Sequence, residues 1–527
     1  MRRKTLKTLL VASAVSVGAV GCTDLVIEPE STVTSSNIFT DEGSYESFVA
    51  KIYAGLAVTG QEGPDGARDI QRITDEGFSN YLRLLWVINT LPTDEAVIAW
   101  GDPGLPEMNY QAWGADNQWP GGMYSRIYFQ IAMANEFLRE TSDEKLDERN
   151  VSDETRADIL QYRAEARFLR AYSYWHGVDI FGPIPLVDET SDLGVEPPEQ
   201  ATRAEVYDFI VNELNAIKSE LPAPGAGEYG RADQGAVAML LAKLYLNAEV
   251  YAGTRAYAQA LQEAEFVINS GAYELDDDYT EMFLADNNTS PELIFVVPQD
   301  GDNTRTWGGT TFLAHASVGG NMDAAAYGLD GGWWGLRIQP EIVNLFPASG
   351  DARADDVFFT DGQALEISSL SDFFQGYAAP KFQNVTSDGT PGSNLTFPDT
   401  DYPVFRLADA YLIYAEAHLR DGVGEVGTAV GLVNELRERA YGDTSGNIAA
   451  GDLTLDFILD ERARELYWEG HRRTDLVRFG LFTGGDYLWT FKGGTPGGQA
   501  TADFRDVYPL PASELLANPN LTQNEGY

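Results

Sequence analysis

The chain has one cysteine, four histidines and less than half as many basic as acidic residues, and each shortage removes a class of protein. A single cysteine, Cys22, permits no intramolecular disulfide, so the body must be held by its core alone. His176, His315, His418 and His471 fall in no H-E-x-x-H pattern, and no G-x-S-x-G is present. The signatures of zinc hydrolysis and of serine–histidine catalysis are therefore absent. With 36 Lys and Arg against 81 Asp and Glu, the formal net charge is -45. Such a surface repels nucleic acid phosphates, which excludes DNA and RNA as partners, and it is also repelled by anionic lipid. Beyond the N-terminus no apolar stretch reaches the length needed to cross a bilayer.

What is present is the composition of a globular protein. Of 527 residues, 44% are hydrophobic and 22% charged, ample for a large core in one large or two or three ordinary domains. The excess acidity keeps a surface solvated, and it suits a saline habitat, where screening tames self-repulsion.

The N-terminus explains the lone cysteine. Arg2, Arg3, Lys4 and Lys7 precede a short apolar stretch over residues 9–20, then Gly21 and Cys22. This is the layout of an export signal. Ala19-Val20-Gly21-Cys22 resembles the bacterial lipobox, in which the cysteine is acylated, for example with palmitate, and becomes the mature N-terminus. Residues 1–21 then read as a lipoprotein signal peptide and 22–36 as a polar, lipidated tether. Two or more acyl chains anchor stably where one does not, so Cys22 is the expected membrane attachment.

The body reads as mostly α. Ser152 is a cap with Asp153 and Glu154 suited to the first turn, and Phe168, Tyr172 and Trp175 line one face of that helix. Thr202-Arg203-Ala204-Glu205 is a capping box, opening a helix with Val206, Ile210, Leu214, Ile217 and Leu221 inward and Pro222 at its end. Val237, Leu240, Leu241 and Leu244 form the next stripe, and Tyr257, Leu261, Ala264 and Ile268 another, with Gly271 expected at the cap. Helices of this length with short turns pair antiparallel, at a spacing near that of a tetratricopeptide (TPR) unit, whose consensus residues are poorly matched. From residue 287 to 402 glycine, aspartate, asparagine and aromatics dominate, helical stripes fade, and Leu293 to Val297 predicts a short strand. Long loops in a compact protein are commonly functional, and the aromatics argue against disorder. Helices are expected to resume at Phe405, the last running from Thr454 to Gly470.

Several segments resemble the SusD/RagB family of nutrient-binding outer-membrane lipoproteins. They are Arg163-Ala164-Glu165-Ala166-Arg167-Phe168-Leu169-Arg170-Ala171-Tyr172 with Phe181-Gly182-Pro183, then Gly230-Arg231-Ala232, then Phe405-Arg406-Leu407-Ala408-Asp409, and Glu461-Arg462-Ala463-Arg464-Glu465-Leu466 with Gly470-His471-Arg472-Arg473-Thr474-Asp475. Tyr508-Pro509-Leu510-Pro511 and Asn518-Pro519-Asn520 close the series, so the resemblance spans the chain in family order. It departs at Arg472-Arg473, where an aromatic is usual in the second position. The insert matches no family pattern. The resemblance implies four TPR-like helix pairs cradling a variable loop region, divided as 37–286, 287–402 and 403–527. It implies no catalysis. The implied partner is a SusC-like, TonB-dependent outer-membrane transporter, handed glycans or, in some members, peptides.

The charged stretch 461–478 invites two readings. Glu461 and Arg464, and Arg462 and Glu465, are three apart on a helix, so each pair can meet. Paired carboxylates for glycoside hydrolysis are the sharper reading, an ion-pair network fixing a helix end the plainer one, and the resemblance favours the latter. Gly422-Val423-Gly424-Glu425-Val426-Gly427 has dinucleotide-loop spacing but follows a helix, so it reads as a helix–helix turn. Asp276-Asp277-Asp278 reads as a solvated loop, with calcium the alternative and no cofactor otherwise expected. The remaining candidates are aromatic. Sugar rings stack their C–H faces on flat rings, which give rigid contact area at low entropic cost. Trp100, Trp113 and Trp119 follow Thr93-Asp94-Glu95, which resembles a family motif near the binding face, and Trp307, Tyr327, Trp333 and Trp334 lie in the insert. Asn117, Asn321 and Asp330 can supply hydrogen bonds. A TPR-like scaffold that docks a protein or peptide on the insert is the competing reading.

Overall fold

A computed structural model describes residues 38–39, 41–192, 194 and 196–527. The export signal, Cys22 and the tether lie outside the described residues. Contacts group the chain into Met1–Thr40 and Asp41–Tyr527, and all the elements below lie in the second.

The predicted helices form where their caps and stripes place them. They are α1 (Gly43–Ala57), α2 (Tyr81–Thr90), α3 (Gln118–Glu140), α4 (Asp153–Phe181), α5 (Arg203–Ile217), α6 (Gln234–Leu246) and α7 (Tyr257–Ile268). The Ser152 hydroxyl accepts from the Thr155 N–H to start α4, and Thr202 and Glu205 form the reciprocal capping box of α5. Phe168, Tyr172, Trp175 and the inner stripes of α5 and α6 are buried. One detail differs: α7 is capped at Asn269, two residues before Gly271. Consecutive helices pack as pairs, α3 on α4, α4 on α5 and α6 on α7. No helix among the described residues is long and apolar enough to cross a membrane.

The insert leaves and returns through one two-stranded ribbon. Its stem β4 (Leu293–Val297) is the predicted strand, and it pairs antiparallel with β6 (Tyr402–Arg406). Phe405, expected to begin a helix, instead sits opposite Phe295 in this ladder, and α9 (Leu407–Asp421) starts two residues later. Because the stems meet, α7 before the insert packs directly against α9 after it. The insert carries α8 (Gly309–Ala316) and β5 (Leu336–Ile338). β5 pairs antiparallel with β1 (Ala96–Ile98), in the register Ala96↔Ile338, Val97↔Arg337, Ile98↔Leu336. A third pair joins β2 (Ile184–Pro185) and β3 (Gln200–Ala201).

Three helices follow, α10 (Val426–Tyr441), α11 (Leu455–Leu466) and α12 (Arg472–Arg478), with a short helix, Ala512–Ala517, near the end of the chain. The glycine run between α9 and α10 is the expected turn, with Gly422 left-handed at φ 65 closing α9. The helix predicted from Thr454 to Gly470 breaks early. Trp468 takes φ 66 and is wholly buried, with the Trp86 Nε1–H donating to its carbonyl (2.9 Å). The chain leaves the helix at Tyr467 (φ -56, ψ 144), and the Trp468 indole lies in the core.

Candidate functional site: an aromatic platform

The β1–β5 pair closes a long gap in sequence. It sets Trp100, just past β1, beside Trp333 and Trp334, just before β5, and Ala99 N–H donates to the Gly335 carbonyl (2.8 Å) to extend the ladder. Trp100 Nε1–H donates to the Trp333 carbonyl (3.1 Å). Gly335 must be glycine here, since a Cβ would lie 2.7 Å from the Trp100 ring. The turn at residues 331–335 is pinned to the end of α8: the N–H groups of Trp333, Trp334 and Gly335 donate to the carbonyls of His315, Val318 and Ala316 at 2.8, 3.0 and 2.9 Å. These bonds satisfy carbonyls that a helix end would leave open.

Trp307 enters from the other side of α8. Its N–H donates to Glu76 (2.8 Å) and its carbonyl accepts from Arg83 (3.0 Å). Trp100, Trp307 and Trp333 are all half-buried and form one group. Trp333 lies 6.4 Å from Trp100 with the rings inclined at 45°, and 6.2 Å from Trp307 at 50°. Behind them, His315 stacks on Trp333 at 4.7 Å and 16°, while its two ring nitrogens reach the carbonyls of Gly331 and Thr396. Phe397 packs on Trp307 (4.9 Å) and Phe312 on Trp100 (5.9 Å). Arg83 lies beneath, its guanidinium 4.5 Å from Phe78, 5.7 Å from Trp100 and 4.3 Å from Phe312. Burial lowers Arg83 to about 10 against the pull of Asp75, Asp102 and Glu76, so it stays cationic at neutral pH and holds the rings by cation–π contact.

The other proposed aromatics separate from this group. Trp113 and Trp119 are core residues, 2% and 0% exposed, and present no face to a ligand. Trp113 stacks on Tyr508 (4.3 Å) and donates to the Tyr527 hydroxyl (2.7 Å). Asn117, which accepts from Trp119 N–H, is the cap of α3 and points Trp119 inward onto Phe78. Tyr327 packs on Ala314, Val318 and Leu329, and among the described residues no ring contact joins it to the three indoles. Asn321 is exposed and donates to Asp361 (3.3 Å), and Asp330 accepts from Thr396. Trp334 is 46% exposed and turns away from Trp333 to Phe373 and Phe374. Thr93-Asp94-Glu95 is buried: Asp94 pairs with Arg472 (2.6 Å) and Glu95 accepts from Trp468 N–H. Sequence reasoning missed Arg83, His315 and Phe397, which only the tertiary fold brings to the indoles.

The charged stretch is a buried hub. Glu461 pairs with Arg353 (2.7 Å), Arg437 (2.7 Å) and Arg464 (2.8 Å). Glu465 meets Arg353 (3.1 Å), Arg406 (2.7 Å) and Arg439. Arg462 does not meet Glu465; it turns to Asp409 and Asp475, both at 2.8 Å. Burial alone would raise the two glutamates, but the surrounding guanidiniums outweigh it, holding Glu461 at about 2 and lowering Glu465 as well. A wholly buried carboxylate held ionised by three arginines has no proton to give a leaving group and no path to a sugar, so this pair fails as a glycosidase site. Asp278 caps the turn after the aspartate run, accepting from Thr280 N–H (2.8 Å), and no cluster of three metal-ligating side chains forms among the described residues.

Helix pairs cradling a loop-borne aromatic platform define a ligand-binding protein. The chain belongs to the SusD family: residues 368–527 match the SusD family itself, and residues 93–246 match a family described as starch-binding and associating with the outer membrane. It is 36% identical to the starch-binding protein SusD of Bacteroides thetaiotaomicron over 100% of both chains. It is 27% identical to the SusD-like protein P2 of Formosa agariphila, over 96% of this chain and 97% of that one. Among solved structures, a SusD superfamily protein of Bacteroides vulgatus aligns with TM-score 0.72 at 19% identity, covering 93% of this chain and 100% of that one. Surface glycan-binding protein A of B. thetaiotaomicron, solved with laminarihexaose, aligns with TM-score 0.70 at 21% identity, over 92% and 99%. The fold is the mostly α, TPR-like fold of that superfamily.

Proposed function

We propose that this protein binds a glycan at the cell surface and passes it, unaltered, to a SusC-like TonB-dependent transporter in the outer membrane. The observation that carries the reading is the platform of Trp100, Trp307 and Trp333, three half-buried indoles with their backs packed and their backbones pinned. Rings held rigid before binding give sugar faces contact area with little entropy left to lose.

The inclinations of 45° and 50° between successive rings also choose a shape. A flat, ribbon-like chain would favour coplanar rings, whereas a curved chain turns its sugar faces as these indoles turn. We therefore assign a curved α-linked glucan as the ligand, in line with the name of the 36% identical relative. Acylation of Cys22 supplies the anchor, because a body within a chain of net charge -45 is not drawn to anionic lipid.

Calorimetric titration with maltoheptaose, cellohexaose, laminarihexaose and a mixed peptide pool tests the ligand. Heat with maltoheptaose alone is expected; binding only of a β-linked glucan or of peptides would overturn the α-glucan assignment. Cys22→Ser should yield folded protein in the soluble fraction, and its retention on membranes would transfer the anchoring role to the transporter.

A further inference from the structure

Two adjacent tryptophans face different neighbours. Trp333 stacks on His315 within the platform, while Trp334 stands 46% exposed. Trp334 has φ 55, a left-handed conformation that bulky residues avoid, and its N–H bond to Val318 keeps it there. A conformation of this cost persists only when its surroundings enforce it, and such residues gather at ligand contacts.

The surroundings are built around that indole. Gly319 passes beneath it, where a Cβ would lie 2.7 Å from the Trp334 ring and 2.9 Å from Phe373. Phe374, 39% exposed, meets Trp334 edge-on at 5.8 Å and 89°, and Phe373 supports it from below at 5.7 Å. The loop carrying both phenylalanines is tied to β5 by one buried guanidinium. Arg337 donates to the carbonyls of Leu370 (2.6 Å), Asp372 (3.1 Å) and Gln375 (3.0 Å), and also to that of Gly335 (2.8 Å). Thus the residue that fixes the Phe374 loop also grips the turn that presents Trp333 and Trp334. Beside the patch, Asn321 and Asp361 are exposed and hydrogen-bonded, an amide and a carboxylate of the kind that sugar hydroxyls engage.

We infer that Trp334 and Phe374 form a second sugar-contact patch, which engages further units of the same glycan chain once its first units are seated on Trp100, Trp307 and Trp333. The occupant follows from continuity: the two patches hang from consecutive residues, Trp333 and Trp334, of one pinned turn. The patch selects for length. A trisaccharide covers the platform alone, and a longer oligosaccharide gains the second contact. This inference rests on the glycan reading above.

The test compares maltotriose with maltodecaose by calorimetric titration. Trp334→Gly removes the ring and the left-handed strain together, and Phe374→Ala alters a different loop at an exposed position. Each should weaken maltodecaose by about five-fold, the scale of one ring contact, and leave maltotriose unchanged, with thermal unfolding near that of the parent. Trp333→Ala should weaken both ligands. Unchanged maltodecaose affinity in both Trp334→Gly and Phe374→Ala would overturn the second patch while leaving the platform standing. Equal weakening of both ligands would overturn it too, by making Trp334 part of the platform. Silence of the parent protein toward both ligands would overturn the α-glucan assignment and this inference together.

Discussion

Two regions of this molecule carry most of its concentrated chemistry, and they are opposites. Around Glu461 and Glu465, arginines and carboxylates crowd together in the interior, and each of these two glutamates is answered by three cations. Around Trp333, uncharged rings sit half-exposed with only their backs packed. Density of charge marks the part that holds the fold; the sparse, apolar region is the part left able to touch a ligand. The hub also joins the regions, because Arg353 belongs to the insert and Arg406 to its returning stem. Breaking either region should therefore separate stability from binding.

The sharpest break is at Arg406, which pairs with Glu292 (2.8 Å), Glu465 (2.7 Å) and Glu469 (2.7 Å). Arg406→Met leaves three buried carboxylates short of a cation, and removing one partner of a buried pair costs about 3–5 kcal/mol. Denaturant unfolding should show a loss of that size, while the protein that remains folded binds ligand as before. Undiminished stability would mean that the hub is ornament, and the contrast between the regions would collapse.

The next effect divides tryptophans from one another. Trp119→Ala should cost about 3 kcal/mol of stability, the scale of a large core truncation, with affinity retained in the folded fraction. Loss of affinity without loss of stability would return Trp119 to the binding site.

This division was not legible beforehand, for a physical reason. Local rules found what local physics sets: the Ser152 cap, the Thr202 capping box, the strand Leu293–Val297 and the Gly422 turn. The indoles at 100, 113, 119 and 333 lie in stretches of similar glycine-rich composition, and nothing nearby says which face the core. Burial of Trp113 is decided by Tyr508 and Tyr527, and placement of Trp333 by the pairing of β5 with β1, all far away in sequence. The same holds for Arg462, whose neighbour Glu465 was within reach but whose partners came from α9 and α12.

A third effect follows from Glu95, which is buried, accepts from Trp468 N–H and forms no ion pair among the described residues. Burial, and then Asp94, raise it to about 8 from 4.5, against the weaker pull of Arg472. The folded state thus keeps a proton that the unfolded chain has released. Stability from this group is complete below about pH 4.5 and falls as pH rises toward 8, by about 2–3 kcal/mol between pH 6 and 8. Thermal unfolding of Glu95→Gln should lose that slope; an identical pH profile in the variant and the parent would assign the slope to other groups.

The smallest expected effect is the most discriminating. Trp333 shares its ring contacts among His315, Trp100 and Trp307, and one face remains for a sugar. Trp333→Ala should lower affinity about ten-fold, equivalent to about 1.4 kcal/mol. Its backbone bonds to His315 and Trp100 do not use the side chain, so the turn is expected to survive the change. The loss in unfolding free energy should then be well below that of Trp119→Ala, although both substitutions remove an indole. If the two variants lost stability equally and Trp333→Ala kept its affinity, the platform would be core by another name, and the region that binds would have to be sought away from these three indoles.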